Sequence, residues 1–223
     1  MDAAVHFGET RDMPETVPQM LRADALENRE RVLEAARALF AEQGIDVTMR
    51  QIARRAQVGP ATLYRRFPTK QLLIDAAFAD ELRSCTQIVD DGCADPDPWR
   101  GFCAVIERIT LLNGRNHGFV QAYLAANPGA DSFGAHRATL LRRLGGLTER
   151  AKEAGGLRAD FAIEDLVLVL QAGRGLASVP ALAREAAARR FAALATDAFR
   201  ASTTHGELPA APRLTPPPLR VVG

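Results

Sequence analysis

Three cysteines, one tryptophan and two tyrosines are all that this 223-residue chain contains of those types. Cys85, Cys93 and Cys103 have no metal-ligand spacing, and an odd number argues against a disulfide framework. Reduced thiols are the expectation, with redox sensing as the alternative. Long hydrophobic runs are missing too: stretches such as Leu166 to Leu170 fall far short of a membrane span. The first 22 residues hold no apolar h-region of the kind a signal peptide needs, so a cytoplasmic protein is expected. There is no H-E-x-x-H, no Ser-His-Asp order and no Gly-rich phosphate loop, and the four histidines are scattered. Neither catalytic residues nor a metal or cofactor are therefore expected. The net charge of +1 excludes a chain that is basic throughout, so any affinity for nucleic acid must be confined to a patch.

One such patch exists. From Val47 to Ile74 there is no Asp or Glu, while Arg50, Arg54, Arg55, Arg65, Arg66 and Lys70 are all present. The same stretch carries a dense set of helix signals. Thr48 and Gln51 have the capping-box spacing, which predicts a short helix from Met49 to about Ala56. Gln57 and Val58 form a tight turn. Gly59 and Pro60 then restart the chain as a second helix to about Phe67, since glycine serves at an N-cap and proline at the first helical position. Two short helices joined by such a turn make a helix-turn-helix. A recognition helix presents its N-terminal residues to base edges, here Pro60, Ala61 and Thr62, and Arg65 has the reach for guanine. Leu63 and Phe67 are expected in the core.

Thr48, Ile52-Ala53, Val58-Gly59 and the string Thr62-Leu63-Tyr64 followed by Phe67 and Lys70 resemble the DNA-binding domain of TetR-family transcriptional regulators. The resemblance covers about a fifth of the chain. Gly59 departs from it, because most members carry Ser or Thr there, and many carry Gly or Ser near Ala61. It implies that Tyr64, Lys70 and Thr48 bind phosphates. With Arg50 of the acid-free basic patch, the expected DNA-binding set is Thr48, Arg50, Gly59, Pro60, Ala61, Thr62, Tyr64, Arg65 and Lys70.

The remainder reads as helical, so the expected fold class is all-α, with an N-terminal three-helix DNA-binding domain and a larger helical domain. Residues 1–23, polar and containing Pro14 and Pro18, read as a disordered extension. Residues 24–71 form the DNA-binding domain. Its first helix starts at Asp24 or Asn28, runs to Gln43 and carries the stripe Val32, Ala35, Ala36, Leu39 and Phe40. Arg29, Arg31 and Arg37 lie mostly off that stripe, where a solvated face is expected, with reach to phosphate as the alternative. Residues 72–204 form the larger domain, and the proline-rich residues 205–223 a disordered tail. One connecting helix is predicted from Lys70 to about Asp91, then a linker over Gly92 to Pro98. A helix from Asp97-Pro98 is followed by a loop over Asn113 to Gly118. Helices at Phe119 to Ala126, Ser132 to Ala154, Ile163 to Ser178 and Pro180 to Ala201 complete the reading.

The last two helices leave apolar surface over. Leu166, Leu170, Arg174, Phe191, Leu194 and Ala198 are the expected homodimer interface, forming a four-helix pairing with a second copy. A hairpin buried within one chain is the alternative. The resemblance implies the same pairing and also a small-molecule pocket. The candidate lining is Trp99, Phe102, Ile106, Phe119, Tyr123, Leu140, Leu144 and Gln171, with Arg108, His117, His136 and Arg174 as possible anchors for an acidic group. The implied function is a dimeric repressor on a pseudo-palindromic double-stranded operator, released by an unidentified, largely apolar effector, with no membrane partner. The alternative is a constitutive DNA-binding protein whose larger domain only dimerises.

Overall fold

The computed structural model describes residues 16–125 and 132–212. Side chains are described from Leu26 onward, with a few further exceptions inside helices. Among the described residues there are helices and no strand, only one isolated bridge between Leu157 and Arg200.

Helix α1 (Thr16–Gln43) begins eight residues before Asp24, so residues 16–23 are helical and do not belong to a disordered extension. Pro18 permits this because it falls in the first turn, where a backbone N–H has no intrahelical partner anyway. The expectation for residues 1–15 lies outside the described residues. At its other end α1 stops at Gly44, which takes φ +81°. Val32, Ala35, Ala36, Leu39 and Phe40 are all buried, against Ile52, Ala56, Leu63 and Phe67 in one core.

Helix α2 (Met49–Arg55) starts with a complete capping box. The Gln51 amide donates to the Thr48 hydroxyl at 3.3 Å, and the Thr48 amide donates back to Gln51 Oε1 at 2.7 Å. The turn that follows puts Gln57 at φ +56°, the left-handed region that costs an L-residue about 1–2 kcal/mol. Helix α3 (Pro60–Arg66) follows with Gly59 as an N-cap that has no side chain to offer.

The expected single connecting helix is in fact two, α4 (Lys70–Ala77) and α5 (Ala79–Ala94). They meet at Phe78, whose backbone leaves helical geometry at φ −115°, ψ 18°. The break turns a fully buried ring toward Phe40 of α1 at 5.8 Å, with Phe119 at 5.7 Å and Phe133 at 6.4 Å. Breaking a helix frees carbonyls at its end. One of them, Ala77 O, accepts from Arg37 Nε at 2.8 Å, so Arg37 caps α4 and is not part of a solvated face.

Gly92 lies inside α5, not in a linker. It packs on Gly101 of α6 (Pro98–Arg115) so closely that a Cβ on Gly101 would sit 2.3 Å from Gly92 O. The turn between them is short, with Asp97 Oδ1 accepting from the Arg100 amide at 3.0 Å. The expected loop over Asn113 to Gly118 shrinks to Asn116, whose Oδ1 accepts from the Phe119 amide at 3.2 Å and caps α7 (His117–Ala125). Gly118 abuts α1, where a Cβ would lie 2.9 Å from the Phe40 carbonyl carbon. Helix α8 (Ser132–Glu153) closes at Gly155, φ +72°. Helix α9 (Ile163–Ala172) gives way to a 3₁₀ turn over Gly173–Ser178, so the helix expected to reach Ser178 ends six residues early. Helix α10 (Ala181–Phe199) is the last. Beyond it, Arg158 donates to Gly206 O at 2.7 Å and Asp160 accepts from the Leu208 amide at 3.0 Å, so the start of the tail is tied down. Residues 213–223 lie outside the described residues.

Gln57 carries a measurable cost in this arrangement. Gln57→Gly is expected to hold or raise stability by up to about 1 kcal/mol, and Gln57→Val to lower it by about 1–2 kcal/mol, read from urea midpoints.

Candidate nucleic-acid interface

Two capped helices and one core face position this surface. Leu63 and Phe67 point inward and are buried, which turns the rest of α3 outward. Gly59, Pro60, Ala61, Thr62 and Arg65 are exposed, and Tyr64 keeps 47% of its surface despite its aromatic ring. A tyrosine packed into the core would not stand out this far. Thr48 and Arg50 at the start of α2 are exposed as well, and Lys70 at the start of α4 is half-buried. The sequence-derived set therefore lies on the surface of α2, α3 and the start of α4.

Its charge is available. Arg50, Arg54, Arg65 and Lys70 make no ion pair among the described residues, whereas Arg55 is held by Glu42 of α1 at 3.2 Å. The Thr48 hydroxyl is committed to Gln51, from which it accepts and to whose Oε1 it lies 2.7 Å, so a phosphate must compete for its proton. An exposed tyrosine hydroxyl, threonine hydroxyl and guanidinium on one short helix are the donor types that meet phosphate oxygens and base edges.

The larger domain departs from expectation in detail. Among the candidate pocket residues, Trp99 and Phe102 belong to one aromatic cluster with Phe161 and Phe199. Phe119 and Tyr123 belong to another, with Phe78, Phe133 and His136. Ile106, Leu140 and Leu144 are buried core side chains, and Gln171 is exposed and drops out. Periodicity showed that the apolar ones face inward but not which cluster each would join. Of the possible anchors, Arg108 is paired with Asp91 at 2.6 Å, which holds that carboxyl below its usual range. The side chains of His117 and Arg174 lie outside the described residues. His136 is placed among apolar groups, with Thr86 Oγ1 2.9 Å from Nε2 and the Tyr123 hydroxyl 3.3 Å from Nδ1. Burial lowers the His136 pKa and raises that of Tyr123. Sequence reasoning missed Thr86, and only its contact with a residue fifty positions away reveals it.

On the last two helices the expected interface set also divides. Leu166 is 2% exposed and belongs to the chain's own core, so it is withdrawn from that set. Leu170 and Phe191 are partly buried, Ala198 is exposed, and Leu194 is 61% exposed. Two further leucines face outward, Leu168 and the fully exposed Leu182.

Among the described residues no group of His, Cys, Asp and Glu could hold a metal ion, and no helix is long and apolar enough to cross a membrane.

A capped two-helix unit with an exposed, acid-free second helix makes this a helix-turn-helix DNA-binding protein. The family model of bacterial regulatory proteins of the tetR family matches residues 32–77, which run from the α1 stripe to the end of α4. A helix-turn-helix-type transcriptional regulator of Staphylococcus aureus is 45% identical over 80 residues, 34% of this chain. That match spans 43% of the relative's length. A TetR transcriptional regulator from Streptomyces coelicolor is 31% identical, covering 78% of this chain and 99% of its own, with a TM-score of 0.49. A second TetR-family structure, from Streptomyces coelicolor A3, has a TM-score of 0.61 over 74% of this chain and 89% of its own. Its 18% identity shows a shared fold alone. On the motif match and the 31% identity over nearly the whole length of the first Streptomyces coelicolor protein, the chain belongs to the TetR family of DNA-binding transcriptional regulators.

The cysteines behave as packing groups. Burial pushes Cys85 up to about 12 and Cys103 to about 11, and it raises Cys93 as well. Counting thiols with a disulfide reagent at pH 8 is expected to find Cys85 unreactive in the native protein and modified only after unfolding. Labelling of all three at the rate of the denatured chain would contradict this burial.

Proposed function

We propose that this regulator is a cytoplasmic repressor that binds a pseudo-palindromic operator as a homodimer and leaves it when a small, largely apolar ligand binds the larger domain. The exposed acid-free face of α3, bearing Thr62, Tyr64 and Arg65, carries the DNA part of the reading. Tyr64, Lys70, Thr48 and Arg50 hold phosphates, while Gly59, Pro60, Ala61, Thr62 and Arg65 approach the bases. On α10 the exposed Leu194 lies at helical spacing with the partly buried Phe191 and the exposed Ala198, an apolar strip that supports the dimer because a second copy could cover it. Two copies related by a two-fold axis would present their α3 helices to half-sites roughly 34–36 Å apart or a multiple of that.

For the ligand, Tyr123, His136 and Thr86 form a polar point within an apolar setting, the pattern that orients a mostly apolar molecule. A ligand preferring the spacing that does not fit DNA is all that release requires. The alternative is constitutive DNA binding, with a larger domain that only dimerises. The division of the candidate pocket residues between two aromatic clusters favours that second reading.

The test is binding of the purified protein to the DNA flanking its own gene, across a salt series, with a reporter of that promoter in parallel. Affinity falling steeply with salt, protection of a pseudo-palindrome and reporter expression rising when the regulator is deleted are the expected results. Reporter expression falling on deletion would make it an activator. Tyr64→Phe is expected to weaken binding about tenfold at all sequences alike, whereas Thr62→Ala changes preference at particular bases. Leu194→Glu, which adds a charge at an exposed position, is expected to leave the fold intact and weaken self-association by about 3 kcal/mol, roughly a hundredfold in sedimentation experiments.

A further inference from the structure

The groove beside α3 is not made by α3 alone. Thr62, Leu63, Arg65 and Arg66 form one side with Val58 of the turn, and Asn28 and Val32 of α1 form the other. Its volume of about 290 Å³ admits a phosphodiester group but is at the lower limit for a drug-sized molecule. Val32 and Leu63 are its buried members, each belonging to the core of the DNA-binding domain. Asn28 precedes Val32 by four residues and lies on the same face of α1, one turn further out. It stands where that face leaves the core and meets the exposed side of α3.

The chemistry of Asn28 is fixed by its neighbour. Arg31 Nη2 donates to Asn28 Oδ1. A guanidinium has donors only, so the amide oxygen must face Arg31. The amide nitrogen therefore turns the other way, with two N–H donors that have no partner among the described residues. We propose that Asn28 is a further DNA-contacting residue, its amide donating to a backbone phosphate oxygen next to the bases approached by α3. A phosphate, not a base edge, is the acceptor because Asn28 lies on a helix that flanks the recognition helix and does not lead into the groove. Neutral amide contacts to phosphate set the register of a protein on the duplex without reading sequence. The proposal rests on the reading of α3 as the recognition helix.

The experiment uses the full chain and an operator obtained by site selection, with affinity measured by fluorescence anisotropy across a salt series. Asn28→Ala is expected to weaken binding about tenfold at every operator sequence, with the slope of log affinity against log salt unchanged, because a neutral amide releases no counterion. Asn28→Asp keeps an acceptor for Arg31 but sets a carboxylate against the phosphate, and it is expected to weaken binding further. Circular dichroism and melting temperature check that each variant folds, and Arg65→Ala serves as the control. Asn28→Ala within twofold of the wild type, while Arg65→Ala weakens binding, overturns the proposal. So does full affinity in Asn28→Asp, which would mean that Asn28 only holds Arg31. A salt slope lowered by about one unit in Asn28→Ala would assign the effect to Arg31 and overturn it as well. If Arg65→Ala and Thr62→Ala also leave affinity intact, the fault lies in the assignment of α3 itself.

Discussion

The contact between Phe78 and Phe40 is the constraint on which the rest of this structure depends. Phe78 is completely buried, and its ring meets rings from α1, α7 and α8. Tilted aromatic pairs at these separations contribute about 0.5–1.5 kcal/mol each beyond their buried area. To place the ring there the chain must leave helical geometry between α4 and α5, and the freed Ala77 carbonyl must find a donor. Arg37 supplies it from α1. One side chain thus fixes the end of α4, the start of α5 and the attachment of the DNA-binding helices to the larger domain. Gly118 tightens the same junction by letting the α7 backbone approach Phe40 and Ala41 directly.

The helix-turn-helix was legible because its signals are local. Thr48 with Gln51, Gly59 with Pro60, and the stripe from Val32 to Phe40 each specify a backbone event within a few residues, and each lies where its spacing placed it. The break at Phe78 was not legible, because apolar positions recur on both sides of it at helical spacing and only contacts with the distant rings of Phe40, Phe119 and Phe133 explain the turn. Asn113 to Gly118 contains turn-forming residues, yet helix packing uses Gly118 for close approach and leaves only Asn116 as a connection. Gly92 misled for the same reason. Pro18 suggested disorder by its composition, although its position in the first turn of α1 is one that a helix accepts.

The DNA-facing set and the ligand-facing set differ in a parallel way. Exposure on α3 follows from the two residues that must be buried, Leu63 and Phe67, so the outward positions come out by subtraction. Inside the larger domain the candidate lining residues other than the exposed Gln171 face inward, and nothing local says which cluster each will join. Phe102 and Phe119 are equally buried yet belong to different sets of rings. Leu166 and Leu194, both on the last two helices, take opposite environments. Partition of apolar residues between clusters is a tertiary property, decided by helix crossings that the linear pattern does not encode.

The junction at Phe78 also bears on how modular this protein is. A chimera that joined residues up to Ala77 to the larger domain of another regulator would carry α1 with Phe40 exposed and the α4 carbonyl capped from within. It would lack the ring that fills the space between them. The receiving domain would have to bring an aromatic side chain at the first residue past the splice and a residue without a side chain opposite Phe40. Transplanting the DNA-binding unit therefore means transplanting one phenylalanine beyond its apparent boundary.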